Sequence, residues 1–373
     1  MANDYTVYQV TVSTLTPLHI GNGRVLLHDY DYAIHQGKTW RINEDALLDA
    51  QLADDPALAS QLARTPPAQL LSPGDFRPES GLFHYVLDGE PRSKASGAEV
   101  REQIKDVHFR PYLPGSSLKG ALRTAIVWFG FGAKKLTTAG LKSRLGRNPA
   151  WAAQDIEREL LGRDPNHDLL RALHVSDSQP VSPKQLMLVN AQVVTRGGMG
   201  SPIELEAIRP DTNFELTIKL DNALFSEWAA QLGLRQRADW LRHLPTVVQR
   251  HAARRLKDEL GWYNGRTGAE TVRNFYRQLM ELKLPEDTCV LQLGWGGGWD
   301  SKTLGSHLRA DPAFLEGVIR DYTLARGRRR EGDPFPKSRR TSVRRVRSAD
   351  GAVRDAIGLP LGWVSMTIKP AGA

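Results

Sequence analysis

The apolar residues recur with a helical period in the stretch that follows Pro114. Pro114 and Gly115 break the preceding extended segment, and Ser116 and Ser117 offer hydroxyl caps to the first N–H groups of a helix. Behind them, the apolar residues on one face are Leu118, Ala121, Leu122, Ala125, Ile126 and Phe129. This spacing predicts an amphipathic helix with a single apolar stripe.

Two cations share another face of this predicted helix. Lys119 and Arg123 lie four residues apart, near the positive end of the helix dipole. A turn, free N–H groups and two cations on one face are suited to binding phosphate. The alternative is an ordinary surface helix with a solvated charged face, and the spacing alone favours that alternative.

Apolar and polar residues alternate in the segments that predict strands. In the clearest strand, Phe214, Leu216, Ile218 and Leu220 face one way. The predicted strands and hairpins cover residues 5–16, 29–42 with Gly37 in a turn, 173–180, 185–194, 203–220 with Pro210 and Asp211 in a turn, 289–293 and 361–369. Helical patterns cover residues 44–64, 148–161, 223–283 and 313–325, and a flexible glycine-rich link is predicted for residues 195–202.

This order of elements predicts an α+β fold with a ferredoxin-like βαββαβ core and large helical insertions. We interpret residues 1–373 as one elaborated domain. The expected insertions are residues 46–100, which are variable and carry little of the core, residues 131–172 and residues 223–288. Residues 289–373 form a C-terminal part with a glycine-rich loop and a basic segment.

Positive charge is concentrated in two short blocks. The net charge is +8, but residues 1–100 hold 7 Lys and Arg against 13 Asp and Glu. Residues 101–150 and 326–347 each hold 10 basic residues against 2 acidic ones. This distribution indicates a polyanionic partner. For residues 326–347, a solubilising or disordered basic segment is an equal alternative.

Composition excludes several classes of protein. Cys289 is the only cysteine, which rules out a disulfide framework and a cysteine-rich zinc site. The ten histidines show no metal-binding spacing, so we expect no metal and no cofactor. No apolar run reaches the length of a membrane span, and residues 1–20 lack a secretory core, so a cytoplasmic location is expected.

A glycine-rich loop, residues 294–303, follows the strand predicted at 289–293. Its glycines allow a ribose–phosphate chain to approach the backbone, Lys302 can neutralise a phosphate, and Trp295 or Trp299 can stack on a base. Inward packing of the tryptophans is the alternative. The loop is also close to a P-loop, but Ser301 stands where the P-loop requires glycine.

The segment from Tyr112 to Arg123 resembles the helix motif of the RAMP superfamily, the RNA-binding subunits of type III CRISPR effector complexes. The motif is aromatic-x-P-G-S-S-x-K-G-x-x-R, and the matching residues are Tyr112, Pro114, Gly115, Ser116, Ser117, Lys119, Gly120 and Arg123. LTPLHIGNG (15–23) is similar to the motif that ends the first RAMP strand, and the loop ending in Lys302 and Thr303 resembles the C-terminal RAMP loop. HVSDSQP, ELEAIRPDTNF and PFPKSRR…PLGWV resemble the subgroup that caps the foot of the Csm-type complex.

This resemblance implies a modified RRM-like RAMP core and a non-catalytic subunit that binds guide (CRISPR) RNA near its 3′ end. Such a subunit caps the backbone and contributes to RNA maturation and assembly in antiviral defence. The implied partners are the guide RNA, neighbouring RAMP backbone subunits and, in addition, target RNA, with no membrane. The RNA-binding candidates are His19, Gly21, Asn22, Gly23, Arg24, Ser116, Ser117, Lys119, Arg123, Trp295, Gly296, Gly297, Gly298, Trp299, Lys302, Arg339 and Arg340.

Two enzymatic alternatives remain open at this stage. Backbone relatives cleave target RNA with an acidic residue in a loop after the first strand, and Asp29 and Asp31 lie in about that region. His19 could act as a general acid–base in processing precursor RNA. The second alternative is a P-loop-like NTPase that uses Lys302.

Overall fold

Two β-sheets organise the chain in a computed structural model that describes residues 4–54, 64–195, 198–325, 329–330, 333–347 and 351–372. The strands are β1 (Tyr5–Thr14), β2 (Gly21–Leu27), β3 (Tyr32–His35), β4 (Lys38–Ile42), β5 (Phe83–Asp88), β6 (Glu99–Gln103), β7 (Leu173–Val175), β8 (Leu186–Thr195), β9 (Gly198–Ile208), β10 (Asn213–Asp221), β11 (Thr288–Gln292), β12 (Arg339–Arg347), β13 (Val353–Pro360) and β14 (Trp363–Pro370). The α-helices are α1 (Glu44–Asp54), α2 (Gly115–Ala133), α3 (Gln154–Leu161), α4 (Ala238–Arg242), α5 (Leu244–Tyr263), α6 (Glu270–Glu281), α7 (Gly305–Leu308) and α8 (Pro312–Asp321).

The first sheet has five strands in the order β11-β14-β1-β10-β7, and its pairs are antiparallel. β1 lies in the middle, between β14 and β10. Its alternating sequence buries Val10 and Val12 on one face. The predicted strand at 213–220 is confirmed as β10, whose Phe214 and Ile218 join the same core.

Helix α2 packs its apolar face into the core beneath this sheet. Its predicted apolar stripe is confirmed, since Leu118, Leu122, Ala125 and Ile126 are all buried in one cluster with the β1 and β10 residues. α5 packs beside α2 and against β11. The sheet and these two helices therefore form a two-layer core.

The second sheet contains nine strands. Seven follow one path in the order β2-β6-β9-β8-β5-β4-β3, while β12 pairs with β8 and β13 pairs with β12. The hairpin predicted at 29–42 is confirmed as β3 and β4, and Gly37 in its turn has a positive φ of 74°. The overall fold is therefore mixed α/β.

Three expectations are corrected by this sheet. Residues 46–100 do carry core, because β5 buries Phe83, Tyr85 and Leu87. The link predicted at 195–202 contains the start of β9, with residues 196–197 outside the described part of the chain. β9 and β10 are not a hairpin, since β9 pairs with β8 and β6 while β10 pairs with β1 and β7. The turn at Pro210 and Asp211 thus carries the chain from one sheet to the other.

The basic segment 326–347 is partly a strand. β12 begins at Arg339. Residues 326–328 and 331–332 of this segment lie outside the described residues. The same is true of residues 55–63, which belong to the helix predicted at 44–64. Among the described helices, none combines the length and the apolar content that crossing a bilayer requires.

Candidate nucleic-acid interface

A cleft of about 860 Å³ opens where three of the predicted motifs meet. The β1–β2 connection, the first turns of α2 and the loop after β11 each form one side. Eight of the sequence-predicted candidates line this cleft, namely His19, Gly21, Gly23, Arg24, Ser116, Ser117, Trp295 and Lys302. The structure therefore brings together residues that are nearly 300 positions apart in the sequence.

Gly294 allows the loop after β11 to lie directly on the β1–β2 connection. Its φ is +67°, and a Cβ built there would lie 2.3 Å from the carbonyl oxygen of His19. The adjacent N–H of Trp295 donates a hydrogen bond of 2.8 Å to the same oxygen. Only glycine permits both the left-handed backbone and this close approach.

The N-terminus of α2 differs from the prediction. Pro114 is the N-cap, and neither Ser116 nor Ser117 caps the helix through its side chain. The N–H of Gly115 instead donates to the Asp177 carboxylate at 2.7 Å. Because Asp177 supplies this cap, the exposed Ser116 and the half-buried Ser117 present their hydroxyls to the cleft.

Trp295 lies between two guanidinium groups. Arg101 is 5.6 Å from the ring centroid and Arg340 is 5.0 Å from it, while His19 meets the ring edge-on at 6.5 Å. These cation–π contacts hold positive charge at the wall of the cleft. The stacking role predicted for Trp295 is thus taken in the structure by arginines of the same chain.

His19 is buried, and its environment keeps it neutral. Its Nδ1 lies 2.6 Å from the Glu206 carbonyl oxygen, which can only accept, so Nδ1 carries the proton and Nε2 the lone pair. Burial, together with the smaller effects of the Arg101 and Lys105 charges, lowers the pKa of His19 to about 4. A histidine with this pKa is a poor general acid at neutral pH.

The acidic residues of the nuclease hypothesis do not line the cleft. Asp31 accepts the Leu27 N–H at 2.7 Å and lies 3.4 Å from the Arg41 guanidinium. Asp29 lies in the β2–β3 turn with a φ of 72°. Within the described ranges, no three His, Cys, Asp or Glu residues are grouped as metal ligands. The geometry of this part of the chain therefore favours turn structure for both aspartates.

Three cations and two carboxylates line the cleft. Arg24 has 72% of its side chain exposed and lies 3.8 Å from Glu102, and Lys302 is also exposed. Burial opposes ionisation of Glu102, but a 2.7 Å hydrogen bond from Asn22 and the nearby Lys105 ammonium lower its pKa below the usual value. Asn22 is thus used to orient Glu102, while Arg24 and Lys302 face solvent.

The predicted roles of Arg123 and Lys119 are corrected. Arg123 donates to Asp168 at 2.8 Å and to Glu157 at 2.9 Å, so its charge is already neutralised within the chain. Lys119 lines a neighbouring depression rather than the cleft. Gly120, one residue further along the helix, faces the cleft instead.

Arg339 is also corrected, because it belongs to a buried ion network. Its guanidinium donates to Glu259 at 2.8 Å and to Asp300 at 3.2 Å, and only 11% of its side chain is exposed. The complete network joins four cations and three carboxylates: Arg254, Arg255, Arg309, Arg339, Asp258, Glu259 and Asp300. It ties the loop after β11 to α5 and to the start of β12.

Two glycines of the remaining loop lie close to other protein atoms and do not line the cleft. A Cβ on Gly296 would lie 2.7 Å from the Leu361 side chain, and one on Gly297 would lie 2.3 Å from Ser301 Oγ, while Gly298 has open space around it. The Trp299 ring packs edge-on against Phe335 at 4.9 Å. This packing argues against RNA contacts along the cleft by Gly296 and Gly297, while Trp299 lines an adjacent apolar pocket instead.

The loop also departs from a P-loop. A phosphate-binding loop leads into the N-terminus of a helix. Here, Lys302 follows one 3-10 turn (Trp299–Ser301) and precedes α7, a helix of only four residues. The arrangement does not favour nucleotide hydrolysis.

Sequence reasoning missed Arg101 in β6. Arg101 directly follows residues 46–100, which the sequence predicts to be a variable insertion. The alternation of Glu99, Val100 and Arg101 is nevertheless a strand signal, and it could have placed Arg101 on an exposed face.

Comparison with known proteins identifies the class. The model of the RAMP superfamily matches residues 11–299, which is more than half of the chain, and the chain belongs to this superfamily. Its similarity to one curated protein is more specific. The protein described as "CRISPR system Cms protein Csm5" of Streptococcus thermophilus is 29% identical over 245 residues, which cover 60% of this chain and 67% of that protein.

Two solved structures share the fold. A chain of the cryo-EM structure of a Csm–crRNA–target RNA ternary complex in a type III-A CRISPR-Cas system superposes with a TM-score of 0.69 at 24% identity, covering 97% of this chain and 100% of that chain. The crystal structure of T. onnurineus Csm5 superposes with a TM-score of 0.68 at 23% identity, covering 95% of this chain and 99% of that chain. At these identities the likeness concerns the fold alone.

Proposed function

We propose that this protein is a non-catalytic guide-RNA-binding subunit of a Csm-type type III CRISPR complex, in which it caps the backbone near the guide 3′ end. The observation that carries the proposal is the cleft, where three separate motifs of the chain present Arg24, Lys302, Ser116 and Ser117 to solvent. Cations and hydroxyls recognise phosphate and ribose independently of base sequence, which a subunit that accepts many guides requires.

The strand order supports a ferredoxin-like origin for the core. β1, α2, β7, β10, α5 and β14 follow one another as strand, helix, strand, strand, helix and strand. In space the four strands lie in the order β14-β1-β10-β7, and β11 is an additional edge strand. We infer a modified βαββαβ unit, elaborated by the second sheet.

Assembly with other subunits follows from the same comparison. The related cryo-EM chain comes from a complex with crRNA and target RNA. By analogy, we propose guide RNA, neighbouring RAMP backbone subunits and target RNA as the partners of this chain, with a role in RNA maturation and antiviral defence.

RNA binding across a salt series tests the proposal. Labelled guide RNA is titrated with the wild-type chain and with Arg24→Ala and Lys302→Ala, and the RNA is then examined on a denaturing gel in the presence of Mg²⁺. We expect intact RNA, steep salt dependence, and a fall of about 1 in the salt slope for each cation removed.

Lys283→Ala is the matched control, because Lys283 is another exposed lysine but does not line the cleft. It should leave the slope unchanged. Equal slopes for all four proteins would refute the assignment of the cleft, and shortened RNA would refute the non-catalytic role.

A further inference from the structure

An apolar pocket adjoins the cleft on the far side of Lys302. It has a volume of about 440 Å³ and lies between α2, residues 141–157 and residues 299–324. Most of its lining is hydrophobic, including Leu145, Trp151, Leu304, Leu308 and Phe314. This volume lies near the lower end of the roughly 300–1,000 Å³ that is typical of small-ligand pockets.

The pocket and the cleft are neighbours that share two lining residues. Thr124 and Lys302 line both spaces, so a chain whose phosphate contacts Lys302 lies beside the pocket. In a single-stranded nucleic acid, the base projects from the backbone beside each phosphate. A groove for phosphates that adjoins an apolar recess is therefore suited to an unstacked base.

Three hydroxyl groups in the pocket wall are already paired within the protein. Thr303 Oγ1 donates to the Trp299 carbonyl at 2.9 Å, and Tyr322 donates from its hydroxyl to the Gly146 carbonyl at 2.7 Å. Thr124 Oγ1 donates to Gly120 O at 3.2 Å. The pocket thus offers mainly apolar surface, and it can accept a flat ring without distinguishing base edges.

Trp151 provides a stacking surface at the pocket. Trp151 is 60% exposed, whereas tryptophan is highly buried on average. An exposed indole beside an apolar recess and a phosphate-binding lysine is the combination that single-strand-binding proteins use to stack bases.

We propose that this apolar pocket receives one unstacked base of the RNA whose backbone lies in the cleft, with Trp151 stacking on the base. The proposal rests on the RNA-binding function proposed above. It adds a base-dependent but sequence-tolerant contact to a surface that otherwise recognises phosphate and ribose.

The test compares two probes of equal length and charge: a labelled 20-nucleotide oligouridine, and an oligomer with the same ribose–phosphate backbone but no bases. The full-length chain is titrated as wild type, Trp151→Ala and Trp228→Ala. Trp228 is the matched control, because it is 68% exposed and lies outside the pocket. A thermal melt followed by circular dichroism checks that each variant is folded.

We expect Trp151→Ala to weaken oligouridine binding by about 5-fold to 150-fold, the range of a single base–aromatic stack. It should leave the abasic oligomer unaffected, and Trp228→Ala should change neither. In addition, 4-thiouridine in the probe should photo-crosslink to the wild-type chain at Trp151.

The possible failures are distinguishable. If the wild type and Trp151→Ala bind both probes equally, the base pocket is refuted while the phosphate-binding cleft stands. If the wild type binds neither probe, the proposed RNA-binding function is refuted and the pocket proposal with it. If Trp151→Ala impairs only association with neighbouring subunits, a protein side chain occupies the pocket and the proposal is refuted.

Discussion

Removing one charge from the buried ion network should destabilise the whole loop region. Asp300 has only 2% of its side chain exposed, and it lies 2.5 Å from Arg309, 3.2 Å from Arg339 and 3.7 Å from Arg255. Asp300→Asn leaves the guanidinium groups of Arg254, Arg255, Arg309 and Arg339 against only two carboxylates, Asp258 and Glu259. Breaking a buried ion pair by neutralising one partner costs about 3–5 kcal/mol.

This magnitude predicts a measurable shift in melting temperature. For 373 residues, an unfolding entropy of about 2.1 cal/mol/K per residue gives about 0.8 kcal/mol/K, so the melting temperature should fall by about 4–6 °C. Differential scanning calorimetry of the full chain measures this change directly.

Asp321→Asn is the control for this experiment. Asp321 is 57% exposed and pairs with Arg320 at 3.1 Å on the surface, so its loss should change stability by less than about 1 kcal/mol. A melting temperature of Asp300→Asn within 1 °C of that control would refute the reasoning, because the network would then contribute no more than a surface pair.

Three further predictions concern the loop, a helix and pH. Gly294→Ala should cost more than about 1 kcal/mol of unfolding free energy and weaken RNA binding, because it combines a positive φ with a clash at His19. Gly261→Ala, inside α5 with nothing within 4 Å of the added Cβ, should raise the unfolding free energy by about 0.5–1 kcal/mol. Burial lowers the pKa of His251 from 6.5 to about 3, so the unfolded chain binds the proton more readily between these values. Stability should therefore be full above pH 6.5 and fall as the pH drops toward 3, and His251→Leu should flatten this dependence in urea titrations.

Each of these predictions has an internal comparison. Gly298 has the same φ of +67° as Gly294 but no neighbour within 4 Å, so Gly298→Ala isolates the backbone strain from the clash. Equal losses for the two variants would contradict the close-approach argument. A destabilised Gly261→Ala would mean that the helix has no room there. An unaltered pH profile for His251→Leu, matching the exposed His108→Leu, would contradict the role of burial.

Local periodicity was sufficient to predict the helices and strands whose apolar residues all lie on one face. The stripe on α2 and the alternation in β10 both reflect burial of a single face, which is visible within a short window. A short window of sequence does not show to which of the two sheets a strand belongs. The short polar connection between β9 and β10 therefore suggested a hairpin, although long-range pairing places the two strands in different sheets.

The motifs predicted that distant residues meet in space, but not which of their charges are already paired. Gly21, Ser116 and Lys302 meet in one cleft as their motifs implied. Whether an arginine is available depends on which carboxylate lies near it in space. Arg123 and Arg339 are neutralised by acidic residues from other segments, and nothing in the spacing of the charges indicates this.

The position of β1 between β10 and β14 means that this strand can complete its pairing only late in synthesis. Ser13 pairs with Asn213, and Thr14 pairs with Val364. The residues that pair with the two edges of β1 are therefore synthesised about 200 and 350 residues after it. At about 5–20 residues per second, a ribosome needs about 18–70 s to add the last of these partners. During that interval a strand rich in Val, Thr and Tyr has at least one bare edge, the kind of surface that recruits other chains. Production of this protein in a cell should therefore depend on chaperones that cover β1 until residues 363–370 emerge.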